Sequence, residues 1–217
     1  FIRGDRANEG DIVDDTTYFR LRDYVLGDIV SAEAVYVKAP LQDYQDKGYA
    51  AYRTAQASRQ GVVYVAANDG MLHAFNADTG AEIWAHIPSF VIPNLYQLAD
   101  KNYKNQHKFL LDGTPVVGDI CTGGCGTDGA TGATILVGGQ NKGGRNYYAL
   151  DITNPASPSV LWEFKASSSS ETGYITDPDL GYTYGTPIIT KLADGTWVVL
   201  VTSGYNNVSP GSGKGIL

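Results

Sequence analysis

Methionine occurs once in 217 residues, cysteine twice and histidine three times. Cations are also scarce: 16 Lys and Arg against 23 Asp and Glu leave a net charge of −7. That deficit excludes nucleic acid as a partner, because a binder needs a basic stripe to displace counterions from phosphates. Long apolar runs are missing too. A stretch such as Val62-Val63-Tyr64-Val65-Ala66-Ala67 reaches about a third of the length a bilayer-spanning helix requires, so no membrane span is expected. The opening Phe1-Ile2-Arg3-Gly4-Asp5 has neither the basic start nor the apolar centre of a secretion signal, and fits a mature or excised piece. With 18% charged and 43% apolar residues, wholesale disorder is excluded as well.

Signatures of catalysis are equally thin. There is no Gly-x-Ser-x-Gly elbow and no His-Glu-x-x-His pair. The run Gly138-Gly139-Gln140-Asn141-Lys142-Gly143-Gly144 joins two predicted strands and lacks the helix that a phosphate cradle needs. His73, His86 and His107 fall on different elements. His73 alternates with Met71 and Phe75, and His86 shares a face with Trp84, so both read as packing or edge positions. Ser167 to Ser170 with Gly173 reads as a loop. No catalytic residue, metal ligand or cofactor is assigned to this segment, and an enzyme is not expected.

The two cysteines lie in Cys121-Thr122-Gly123-Gly124-Cys125. They supply half a structural zinc site, with no histidine nearby to complete it. Gly123 and Gly124 let the chain reverse and bring the sulfurs within bonding distance. We read a Cys121–Cys125 disulfide that staples the loop. So short a closure contributes about 2 kcal/mol and signals an oxidising compartment. A pair of free thiols is the alternative. A catalytic dithiol fits worse, because the spacing is not Cys-x-x-Cys.

What the chain does have is 26 glycines and 15 tyrosines, the profile of short strands and tight turns. Those strands recur. Ala34-Val35-Tyr36-Val37, Pro115-Val116-Val117-Gly118 and Pro187-Ile188-Ile189-Thr190 each open a repeat, and each precedes a second β-branched run at Val62, Thr134 and Trp197. A third strand follows at Met71 to Asn76 and at Asn146 to Asp151, then a fourth carrying Trp84 or Trp162. Asn68-Asp69-Gly70 and Asp78-Thr79-Gly80 are hairpin turns. Four short antiparallel strands per repeat predict an all-β fold, a partial β-propeller.

Two helical insertions are expected, Lys47 to Arg59 and Val91 to Asp100, with Pro93 near the start of the second. Together with the loop Cys121 to Gly132 they are placed on a propeller face. Residues 1–26 read as a lead into the propeller and 27–217 as about two and a half blades. Gly213 is where the third strand of the third repeat is expected to begin. The rest of the ring is expected after residue 217, since an open edge invites association.

Ala74-Phe75-Asn76-Ala77-Asp78-Thr79-Gly80-Ala81-Glu82-Ile83-Trp84 resembles the tryptophan-docking repeat of quinoprotein-type propellers, with Asn76 in place of Asp. Ala74 is small so that an indole packs across the strand, Thr79 and Gly80 make the turn, and Trp84 buries between blades. A degenerate copy keeps Ala149, Asp151 and Trp162 but has Asn154-Pro155-Ala156-Ser157-Pro158 at the turn. The stretches Val63 to Phe75, Val91-Ile92-Pro93-Asn94-Leu95, Asp112-Gly113-Thr114-Pro115 and Asp179 to Pro187 narrow the match. With Ile2 to Arg6 and Val25 to Val30, they resemble in order the C-terminal propeller of PilY-type type IV pilus tip proteins.

That resemblance implies an exported, extracellular protein at the pilus tip that acts with minor pilins to support assembly and extension. It also implies adhesion to a host or abiotic surface, and a calcium-binding loop. Asp11, Asp14 and Asp15 lack the alternating spacing of such a loop, and Asp177 to Gly181 and Asn76 to Gly80 have it only in part, so the calcium loop is expected beyond residue 217. Arg3-Gly4-Asp5 is the tripeptide that integrins read, which makes it the candidate adhesive turn, with an ordinary charged turn as the bland reading. Two alternatives share the fold: a quinoprotein-type periplasmic dehydrogenase and an outer-membrane assembly scaffold. The first requires calcium-ligating acidic residues around the central cavity and a quinone-stacking platform, and the adjacent cysteine pair often found there is absent; the second would not carry these insertions or the Arg-Gly-Asp entry.

Overall fold

Side-chain alternation decides the architecture. In the second repeat Ile135 and Val137 project to one side of their strand and Leu136 to the other, and all three are buried. A sheet of this kind must be covered on both faces, and propeller blades achieve that by packing face to face around an axis. The structure, a computed structural model that describes residues 1–126 and 128–217, has this arrangement. Position 127, within the predicted cysteine loop, lies outside the described residues.

The first 26 residues carry a short parallel pair, β1 (Glu9–Gly10) and β2 (Phe19–Arg20). The first blade is antiparallel in sequence order: β3 (Val35–Val37), β4 (Val62–Ala67), β5 (Met71–Asn76) and β6 (Glu82–His86). Helix α1 (Tyr49–Ala55) fills the β3–β4 connection. After β6 come a 3-10 stretch, Ser89–Asn94, the short helix α2 (Tyr96–Ala99) and a 3-10 turn, Tyr103–Asn105. The second blade runs β7 (Val116–Cys121), β8 (Gly132–Gly139), β9 (Asn146–Asp151) and β10 (Ser159–Lys165). A two-residue β11 (Ile175–Thr176) lies parallel to the end of β10. Strands β12 (Ile188–Lys191) and β13 (Trp197–Leu200) form the start of a third sheet.

The main core is the sandwich between the first two blades. Val62, Tyr64, Ala66, Leu72 and Ala74 face Leu136, Tyr148 and Leu150. A second core, Ile135, Val137 and Ala149 with Ile189 and Val199, joins the second blade to the third sheet. Burial pushes the Tyr64 and Tyr147 hydroxyls up to about 12.

Several expectations need correction. The second insertion is a 3-10 stretch followed by the short helix α2 rather than one helix, and Pro93 sits inside the 3-10 stretch rather than at its first turn. Nor is it a surface feature: Phe90, Val91, Leu98 and Tyr103 belong to the main core. The second blade has a fifth strand, fastened at its end by the Asp177 N–H on the Lys165 carbonyl at 3.1 Å and the Ser167 N–H on the Asp177 carbonyl at 3.3 Å, with Lys165 bridging to Glu171 at 2.6 Å over the Tyr174 ring. No strand begins at Gly213, although the Ile216 carbonyl accepts the Ser203 N–H at 2.8 Å. The glycine run after β8 does contain one helical turn, Asn141–Gly143, of 3-10 type.

Candidate interaction surfaces

The docking residues are brought together as pairs. Ala74 lies opposite Trp84 across β5 and β6, and Ala149 opposite Trp162 across β9 and β10. A register shift precedes each tryptophan, leaving Ile83 and Leu161 without a partner residue, so the two copies are equivalent in detail. Trp84 is half-buried; its ring is 5.7 Å from Tyr64 and its N–H donates to the Pro155 carbonyl at 2.8 Å. In the first turn Asn76 Oδ1 accepts the N–H groups of Asp78 and Thr79, Thr79 Oγ1 accepts that of Ala81, and Gly80 adopts φ 72°. Asn154 Oδ1 does the same for Ala156 in the second. The altered turn therefore keeps its side-chain cap and supplies the carbonyl on which Trp84 docks.

Arg3, Gly4 and Asp5 form a turn closed by the Gly4 N–H on the Phe1 carbonyl at 2.9 Å, with the Arg3 and Asp5 side chains exposed. Asp5 Oδ1 accepts the Ala7 N–H at 2.8 Å, and its carbonyl accepts from Arg22 at 3.3 Å. Beneath this turn, Glu9 and Arg22 form a buried pair, Nε to Oε1 at 2.7 Å. Burial alone would raise the Glu9 carboxyl, but the Arg22 side chain and backbone N–H hold it below its ordinary range. Arg3 and Gly4 also border a cleft of about 590 Å³ whose floor includes Met71, His73 and Phe75.

Cys121 and Cys125 are joined in a disulfide, both sulfurs buried. Helix α1 lies on this loop: Tyr49 and Tyr52 pack on the cysteines, and the Cys125 N–H donates to the Lys47 carbonyl at 2.8 Å. Below them Tyr49 donates to Asp119 at 2.7 Å, and Thr134 Oγ1 donates to Asp119 and accepts from Arg59, each at 2.7 Å. Burial, then the bond to Asp119, push the Tyr49 hydroxyl well above its ordinary value. Trp197 of the third sheet donates to the Cys121 carbonyl at 3.1 Å. The first-to-second-strand connections of all three sheets thus meet on one face. Nothing in the sequence singles out Arg59, Asp119 and Thr134, because a long-range buried network looks locally like ordinary polar positions.

His73 is buried, with Nδ1 at 2.6 Å from Glu82 and Nε2 at 3.1 Å from Asp69. These carboxylates lie on opposite sides of the ring and cannot converge on one ion. Asp69 also accepts the Gly27 N–H at 2.8 Å, which ties residues 1–26 to the first blade. His86 is half-buried with its ring 6.0 Å from Tyr148, and His107 reaches Asp28 at 3.0 Å.

Asp14, Asp177 and Asp179 each turn an oxygen to a nearby backbone N–H, at Thr16, Asp179 and Ser212 respectively. Among the described residues no three His, Cys, Asp or Glu side chains gather as a metal site, and no helix is long and apolar enough to cross a membrane.

The profile of the PilY1 beta-propeller domain matches residues 26–216. The chain belongs to the PilY1 beta-propeller family. It is 37% identical over 217 residues to the type IV pilus biogenesis factor PilY1 of Pseudomonas aeruginosa strain PAK, covering 96% of this chain and 17% of that protein. A PilY1 homolog of Xylella fastidiosa is also 37% identical, over 96% of this chain and 16% of its own length. The chain thus spans about a sixth of the length of these curated relatives. The crystal structure of the Pseudomonas aeruginosa PilY1 C-terminal domain superposes with a TM-score of 0.58 at 32% identity, covering 79% of this chain and 32% of that one. PilY1-type propeller architecture is therefore seen in both sequence and fold.

Proposed function

We propose that this chain serves type IV pilus biogenesis as a non-enzymatic interaction domain, exported to the cell surface and acting at the pilus tip with minor pilins. The reading rests on one observation: PilY1-family similarity runs in order across 96% of the chain, and the relatives are named as pilus biogenesis factors. The fold supports it, since the buried polar groups are used to join blades and loops rather than gathered in a reactive cleft. Adhesion is assigned to the exposed Arg3-Gly4-Asp5 turn, with integrin or another surface as its target. No cofactor is assigned within residues 1–217, and calcium is assigned to family sequence outside them.

The test is genetic. Removing residues 26–216 from the full-length protein in its own host is expected to abolish surface pili while the pilin pool stays constant; normal piliation would refute the assembly role. Arg3→Ala with Asp5→Ala is expected to leave piliation intact and lower attachment to integrin-bearing cells. Unchanged attachment would remove the adhesive assignment and leave the assembly role standing.

A further inference from the structure

Ahead of β12 the chain passes extended through Tyr182 and Tyr184, and after β13 it passes Tyr205. The three rings touch. Tyr184 and Tyr205 stack at 5.7 Å and 17°, and Tyr182 is 5.2 Å from Tyr205 and 6.4 Å from Tyr184. Tyr184 is 44% exposed and Tyr205 60%, so this is an open aromatic platform rather than core. Its backbone is fixed. The Tyr182 N–H donates to the Tyr205 carbonyl at 2.8 Å, and a Cβ at Gly181 would lie 2.2 Å from that oxygen, which only glycine allows. Thr183, between the tyrosines, accepts the N–H groups of Gln140 and Asn141 at 2.9 and 3.0 Å.

A second observation gives the platform a charge. Asp112 occupies in Asp112-Gly113-Thr114-Pro115 the place that Tyr184 takes in Tyr184-Gly185-Thr186-Pro187 of the next repeat. It is 1% exposed. One oxygen accepts the Ser31 N–H at 2.9 Å, and the other, Oδ2, has no partner among the described residues. Asn141 ties Asp112 to the platform: its Nδ2 donates to the Asp112 carbonyl at 3.0 Å, while its backbone N–H donates to Thr183, between the tyrosines, at 3.0 Å. Arg145, on the same side, is committed to the carbonyls of Asn206 and Ser209 and does not bond to Asp112.

We propose that Tyr182, Tyr184 and Tyr205 form a docking site for an alkylammonium group, the side chain of a lysine carried by a protein partner. The faces of aromatic rings are negative and attract cations. A buried, uncompensated carboxylate adds to that potential because little water screens it. The net charge of −7 favours cationic over anionic partners for the chain as a whole. A sugar would stack on the same rings, but the free Asp112 oxygen is closed to solvent and cannot accept its hydroxyls. That oxygen acts through its field, which a neutral ligand does not feel. The open shape favours a side chain delivered by a partner, since a free amine would need a concavity to bury most of its surface. The proposal stands apart from the pilus reading.

The experiment is a titration of the 217-residue chain, followed by its tyrosine ring resonances in NMR, with a five-residue Gly-Ser-Lys-Ser-Gly peptide, its norleucine counterpart, butylammonium and lactose. The lysine peptide is expected to give saturable shifts at the three tyrosines. Replacing lysine by norleucine is expected to weaken binding about fivefold, the scale of an exposed cation–π contact. Tyr205→Leu, at an exposed ring, and Asp112→Asn, which keeps the acceptor for Ser31, are each expected to weaken it about threefold on the same scale. Equal binding of the norleucine peptide, or lactose binding unaffected by Asp112→Asn, would overturn the ammonium assignment, as would shifts that never saturate. Butylammonium binding as tightly as the peptide would overturn the choice of a protein partner.

Discussion

Trp84 in the first blade donates its indole N–H to the carbonyl of Pro155 in the second, across 2.8 Å. The acceptor belongs to the very turn that departs from the docking repeat, so the degenerate copy still serves its neighbour. Trp162 stands at the equivalent place, yet its indole makes no hydrogen bond among the described residues. Trp84→Phe keeps a ring against Tyr64 but removes part of the indole's packing together with the bond, the bond itself accounting for about 1 kcal/mol. Trp162→Phe is expected to cost less. Urea midpoints at unchanged slope measure both, and equal shifts would show that the Pro155 bond carries no stability.

Gly48 precedes α1 with φ 82°, and a Cβ there would fall 1.6 Å from the Gly126 carbonyl oxygen. Gly48→Ala therefore strains the backbone by about 1–2 kcal/mol before any collision is counted. We expect α1 to lift from the cysteine loop while the blades stay intact. Hydrogen exchange should then speed up at the Cys125 and Tyr52 amides and stay unchanged at β8. Cys121→Ser with Cys125→Ser is expected to produce the same pattern at a cost of about 2 kcal/mol. Uniform loss of protection across β8 would contradict a local role.

The strands were legible because their signals are local. Ala74 to Trp84 states a turn, an alternation and a packing partner within eleven positions, and Val62 to Ala67 can hardly be anything but a strand buried on both faces. The helical region after β6 was misread because its burial depends on distant residues: Phe90 meets Tyr148, at 6.4 Å, only after the second blade has formed. The bond between Arg59 and Thr134 spans 75 positions, and the tyrosine platform joins rings more than twenty apart. Composition and period carry no trace of such pairings.

His73 gives a pH dependence of definite sign. Burial works against its charge, but bonds to Asp69 and Glu82 outweigh that and raise its pKa above the ordinary 6.5. A raised folded value means the stabilisation is complete below about 6.5 and disappears as pH climbs through the folded pKa. His73→Gln should therefore be most destabilising below about pH 6.5 and approach the parent once the pH has risen past the folded pKa. Because Asp69 also holds Gly27, residues 1–26 should loosen over the same interval. A difference between parent and variant that stays constant as the pH rises from below about 6.5 into the alkaline range would dispose of this account.

Glu9 and Arg22 behave in the opposite sense. The Glu9 carboxyl is held below its ordinary 4.5, so its contribution is present above that value and is lost as pH falls through the folded pKa. With the side chains 1% and 6% exposed, removing Arg22 leaves the Glu9 carboxylate in the interior with only the half-exposed Arg6 guanidinium, at 3.2 Å, to offset it. Arg22→Met is expected to cost about 3 kcal/mol locally, whereas Glu9→Leu combined with Arg22→Met should recover much of that by replacing the pair with apolar packing. The amides of Phe19 and Leu21, bonded to Asn8 and Gly10, report the local opening. Their protection should fall in the single variant, return in the double, and in the parent decline below about pH 4. If the double variant exchanges as fast as the single, the pair itself, and not the stranded charge, is what fastens residues 1–26 to the first blade.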